Sequence, residues 1–140
     1  MITVDNYLTG LSKLINDSSV TSQLNGGITK GAKRPDNVDY PCLTVLGTET
    51  EVGQNTELQT FDGIINIFVA SNNNGTANTS TLGSIESALI ALINVVNWDN
   101  GTTRCISQYF RGTTQSFWDS NDANVHFCAV QMRSFMVDAS

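Results

Sequence analysis

A chain of 140 residues and 15.1 kDa with 40% hydrophobic residues is the size of one domain, and can bury roughly two thirds of its unfolded surface without staples. Only 14% of residues are charged, against about 25% in ordinary soluble domains, so Asn, Thr and Ser carry the polar surface. A net charge of −6 and a pI near 4.4 argue against nucleic-acid binding by phosphate neutralisation, which needs a basic patch, although an acidic wall facing DNA in passage is compatible with them.

In chain order, Val4, Tyr7, Leu8, Leu11, Leu14 and Ile15 recur at three- and four-residue intervals, which predicts an amphipathic helix with Thr3 as its cap. Asp17 or Ser18 then caps a short second helix through Val20 and Leu24, stopped at Gly26-Gly27. A brief extended piece covers 28–34, and its basic cluster of Lys30, Lys33 and Arg34 reads as a solvated turn. Proline has no N–H to give a ladder, so Pro41 marks the start of a strand, "CLTVLGTE", with Leu43 and Val45 on one face and Cys42, Thr44 and Leu46 on the other. The stretch "TETEVGQNTELQTFDG" holds Glu49, Glu51, Glu57 and Asp62 with no Lys or Arg, and reads as a long acidic hairpin or loop.

"GIINIFVAS", residues 63–71, is apolar on both faces apart from Asn66 and is the best central strand. After a polar loop, Leu82, Ile85, Leu89, Leu92 and Val96 predict a second helix running to about residue 96. The alternative is a strand from "INVVNW" turned at Asn100-Gly101 onto "TTRCIS". Two more strands come after it, "TRCISQYFR" and "NVHFCAVQMRSFMVD"; in the last, the set Cys128, Val130, Met132, Ser134 and Met136 is the more apolar and faces the core. The fold class is α+β over a single domain, 1–140: a mostly antiparallel sheet of four to five strands, with the N-terminal and central helices packed on one face and a long acidic hairpin.

Chemistry is hard to find in these residues. Cys42, Cys105 and Cys128 are odd in number, lack a C-x-x-C pair and lie in apolar runs, so they read as core thiols. His126 is the only histidine and reads as a partly exposed strand residue. Glu49 and Glu51 lie two apart, which on a regular strand puts both carboxylates on one face, and with His126 they make the one alternative site for a small hydrolase or ligand-binding domain. No catalytic group, cofactor or metal is assigned. Trp98, Phe117 and Trp118 are either core residues or interface anchors. The N-terminus lacks a signal-peptide pattern and no apolar run is long enough to span a membrane, so cytoplasmic synthesis is expected.

The N-terminal amphipathic helix, "DYPCLTVLGTETE", "FDGIINIFVAS", the polar loop, "LGSIESALIALI" and the closing hairpin, taken in that order from about Val4 to Val137, resemble the small tail terminator or tail-completion proteins of long-tailed bacteriophages. The resemblance implies a structural virion protein of the tail or neck, assembled in the host cytoplasm. Its partners would be other copies of itself in a six-fold ring, the tail tube protein and a head-proximal neck or connector protein, with DNA passing through the lumen unbound. It implies neither enzyme nor cofactor, and a head-completion or minor tail role is the alternative. Glu49, Glu51, Val52 and Glu57 are then the interface or lumen hairpin, with Trp98, Phe117 and Trp118 as further interface residues.

Overall fold

The computed structural model describes residues 1–31, 33–52, 58–94, 98–99, 103–120 and 122–138, without the side chains of 51, 52 and 123. The first helix, α1, spans Val4–Asn16. Thr3 begins it with a reciprocal cap: its hydroxyl accepts the Asn6 N–H, and the Asn6 side chain accepts the Thr3 N–H. These bonds satisfy donors that the first helical turn leaves open. The second helix is a short 3₁₀ turn, Ser19–Gln23, capped by Ser18.

The strands are β1 Ile28–Lys30, β2 Cys42–Val52, β3 Leu58–Ala70, β4 Thr103–Thr113, β5 Phe117–Asp119 and β6 Asp122–Asp138, with α2 at Thr79–Ile93 between β3 and β4. They form one sheet in the order β1-β2-β3-β6-β4, and β5 continues the β4 edge along β6. The sheet has six strands and is mixed, because β1 runs parallel to β2 while every other pair is antiparallel. β5 is the strand that the expected four or five omitted, three residues being too short to show a period, whereas β1 falls inside the extended piece expected at 28–34. β3 is central, and β2 begins directly after a cis Tyr40–Pro41 bond.

Two sequence expectations shift. Most of the stretch read as an acidic hairpin or loop is strand: β2 continues through Val52 and β3 starts at Leu58, pairing antiparallel down to Val52 opposite Gln59. The link at 53–57, including Glu57, lies outside the described residues. α2 ends at Ile93, capped by Asn94, so Ile93 rather than Leu92 is the buried end of its stripe. Val96 also lies outside the described residues. Beyond the helix, the alternative pairing onto "TTRCIS" is present in part: Asp99 bridges Arg104, and the Cys105 N–H donates to the Trp98 carbonyl at 2.9 Å.

Both helices pack on one face of the sheet. Tyr7, Leu8, Leu11 and Ile15 from α1, and Leu82, Ile85, Leu89 and Ile93 from α2, share a core with Phe61, Ile65 and Ile67 of β3 and with Val130, Met132 and Met136 of β6. The expected inward set of β6 is buried throughout, Ser134 included. Ser134 is tolerated there because Tyr7 Oη lies 2.9 Å from its hydroxyl, which donates on to Gln108 Oε1 at 3.4 Å. Trp98 Nε1 donates to the same oxygen at 3.0 Å, so one buried polar chain links α1, β6, β4 and the segment after α2. Burial pushes the Tyr7 phenol well above the ordinary tyrosine range.

The three cysteines are buried, and burial pushes each thiol up to about 11. At neutral pH they are therefore protonated packing groups, poor nucleophiles and poor metal ligands.

Candidate interaction surface

The face of the sheet away from the helices carries Thr48, Asp62, Ile64, Asn66, Tyr109, Gln131 and Arg133, and its middle is open: Ile64 is 36% and Tyr109 44% exposed. Its charge is arranged across three strands. Arg133 on β6 grips Asp62 on β3 through Nε at 2.7 Å and a second guanidinium nitrogen at 3.1 Å, and Arg111 on β4 adds a contact at 3.2 Å. The Arg133 hydrogen bonds hold the Asp62 carboxyl below the usual carboxylate range.

A group whose folded pKa is depressed contributes stability above its unfolded pKa and loses it as pH falls through the folded value. Asp62→Asn is thus expected to cost about 1 kcal/mol at pH 7, as for a partly exposed pair. The difference from wild type should begin to shrink as pH falls below about 4, the unfolded aspartate value, and vanish only below the lower folded value. Urea melts from neutral to acid pH test this, and a pH-independent gap would refute the assignment.

At the Cys42 end of the sheet the same face deepens into a cleft of about 770 Å³ lined by Arg34, Asn66, Phe68, Trp118, Asp119 and Phe127 among others. Phe68 stacks on Phe127 at 5.4 Å, and Phe117 lies 6.1 Å from Phe127. Trp118 is 65% exposed. One wall is an ion pair, Arg34 Nε to Asp119 at 2.7 Å, whose side chains are only 12% and 8% exposed. Arg34 also lies over the Tyr40 ring at 5.6 Å. The reading of the basic cluster as a solvated turn is corrected for Arg34, which ties the 33–41 loop to β5, while Lys30 and Lys33 stay exposed in surface pairs with Asp5 and Asp36.

The other predicted site residues are dispersed. Glu49 and Glu51 do not share a face, because a bulge between them pairs Glu49 with Phe61 and Glu51 with Thr60, consecutive residues of β3. Glu49 is half-buried and accepts from Gln59 Nε2, and Gln59 in turn closes on the Ile2 backbone, accepting its N–H at 2.7 Å and donating to its carbonyl at 2.9 Å. His126 is 6% exposed, not partly exposed as expected: it pairs with Val69, holds Ser71 Oγ at 2.6 Å from Nδ1 and lies beneath Trp118. From Phe61, opposite Glu49, to Val69, opposite His126, β3 runs on the order of 25 Å, so the two glutamates and the histidine form no common site. Trp98 is core, while Phe117 is 44% exposed. Val52 ends β2.

No protein-family model matches the sequence, and no curated protein matches it. Among solved structures, a chain from the virion of a native gene transfer agent particle superposes with a TM-score of 0.59 at 14% identity, covering 92% of this chain and 91% of that one. The shared property is the fold. A second solved chain, 12% identical, superposes with a TM-score of 0.50 over 94% of this chain and 89% of its own.

Sequence reasoning missed the Arg34–Asp119 and Asp62–Arg133 pairs. Their partners lie 85 and 71 residues apart, and pairing at that distance leaves no local period. The only available signal was Asp62 itself, a carboxylate in an apolar strand run, which calls for a cation on a neighbouring strand.

Proposed function

We propose that this chain is a structural protein of a virion, and more finely a ring-forming tail terminator that caps the tail tube and joins it to the neck. The observation that carries the proposal is the fold shared over nine tenths of both chains with a component of a gene transfer agent virion. The order of sequence elements that resembles tail terminators gives the finer assignment. The surface suits such work: an open sheet face, a cleft lined by aromatic side chains and exposed strand edges are places for neighbouring proteins to dock. The alternative site of Glu49, Glu51 and His126 is not assembled, since Glu49 supports the Ile2 clamp and His126 lies at the opposite end of β3.

Electron microscopy of the virion that carries the chain tests the role. The expected density is a ring at the head-proximal end of the tail tube, touching tube and neck. Density at the head vertex would assign a head-completion role instead, and density elsewhere on the tail a minor tail role.

A further inference from the structure

We propose that copies of this chain associate edge to edge, with the basic edge strand β4 of one copy against the acidic edge strand β2 of the next. The inference rests on the proposed ring and names the contact that would close it.

The two long strands at opposite sides of the sheet carry opposite charge. β2 contains Glu49 and Glu51 and no basic residue; β4 contains Arg104 and Arg111 and no acidic one. The contrast extends along the chain, since residues 35–103 include no Lys or Arg. Both edges also have room for a partner among the described residues. β1 pairs with β2 only at Leu43–Val45, which leaves the outer side of 46–52 without a strand. The outer side of β4 is bridged only near its start, by Trp98 and Asp99, and Ile106 just beyond is 39% exposed.

The register sets the two edges at one height. Across the sheet Glu49 aligns with Phe61, Ser134 and Gln108, and Glu51 with Thr60, Phe135 and Ser107. The acidic positions of β2 therefore lie level with the part of β4 that Arg104 and Arg111 bracket. A neighbour related by rotation about an axis along the strands, with no slide, brings those acidic positions between the two basic ones. β2 and β4 run antiparallel to one another, so such a neighbour extends the sheet in its prevailing sense.

Same-edge pairing is opposed, since it would set glutamates against glutamates or arginines against arginines. The favoured contact is consequently head-to-tail, the kind that closes into a ring when the rotation allows. Bulges at Glu49/Glu51 on β2, and at Cys105/Ser107 and Phe110/Gly112 on β4, interrupt a plain ladder. They discourage unrelated strands and leave the choice of partner to side chains.

Glu51→Arg, Arg104→Glu and the double variant, purified as full chains, test the contact by sedimentation equilibrium, with circular dichroism to confirm folding. Wild type should self-associate, each single variant should bind roughly tenfold or more weakly, and the double variant should recover most of the loss. A wild-type monomer at every concentration, single variants that assemble like wild type, or a double variant that fails to recover would each overturn the proposal. If a reversal unfolds the chain, the salt dependence of wild-type association decides: weakening in about 0.5 M salt is expected, and insensitivity overturns it. Rings indifferent to these charges would remove this contact and leave the terminator reading standing. Charge-swap rescue in a chain located away from the tail–neck joint would do the reverse.

Discussion

Replacing Tyr7 by Ala is expected to lower unfolding stability by about 3–5 kcal/mol, the usual cost of deleting a large buried aromatic ring. The ring is fully buried, stacks on Phe61 at 4.7 Å and lies over a notch made by Gly47 and Gly63. A Cβ on Gly63 would meet the Tyr7 hydroxyl at 2.7 Å, so the surrounding backbone is shaped to the phenol and cannot close over its loss. Tyr7→Phe separates packing from hydrogen bonding: it keeps the ring, removes the Ser134 contact, and should cost only about 1–2 kcal/mol. Urea titration measures both through the midpoint at constant slope. Equal losses in the two variants would mean that the hydroxyl, rather than ring volume, dominates the site.

The second large effect is expected at the wall of the cleft. Asp119→Ala leaves the Arg34 guanidinium in a site where its side chain is 12% exposed, with the nearby Tyr40 ring as a poor substitute for a carboxylate. Removing one partner of a buried pair costs about 3–5 kcal/mol, because the remaining charge stays desolvated. A double variant, Arg34→Met with Asp119→Leu, should recover most of that loss by replacing the pair with apolar volume. If the single variant is as stable as wild type, the ion pair contributes nothing and the loop is held by its other contacts, the packing of Val38 and Tyr40 against Cys42, Phe68 and Val125 and the bond from Gly26 N–H to the Pro41 carbonyl. Hydrogen exchange adds a spatial check: faster exchange is expected first in 33–41 and β5.

Long periodic segments were legible in the sequence because their burial repeats. The i, i+3, i+4 spacing of α1 and α2 and the alternation along β6 each report one face against one core; most of the buried residues of α1, α2 and β6 lie on those faces, although Val4 at the start of α1 is exposed. What was hidden depends on neighbours far away in sequence. The bulge that separates Glu49 from Glu51 is a mismatch between β2 and β3, so two-residue spacing alone predicted a shared face that does not exist. His126 looked half-exposed because the β5 strand and Trp118 that cover it come from a stretch that reads as a loop. Arg34 looked solvated because its carboxylate is Asp119, 85 residues on. The charge contrast between β2 and β4 was present in the letters throughout, but only the strand order turned it into a contrast between opposite edges.

β6 comes after the other strands in the chain, yet it is inserted between β3 and β4 and supplies one wall of the core. Until it emerges, the core that α1, α2 and β3 share lacks Val130, Met132 and Met136, and the Tyr7 hydroxyl lacks Ser134, which lies 127 residues downstream. Closure of the molecule is therefore a late, long-range event, slow by the standards of helical bundles. A nascent chain paused short of Val125 would be a chaperone client rather than a half-built domain.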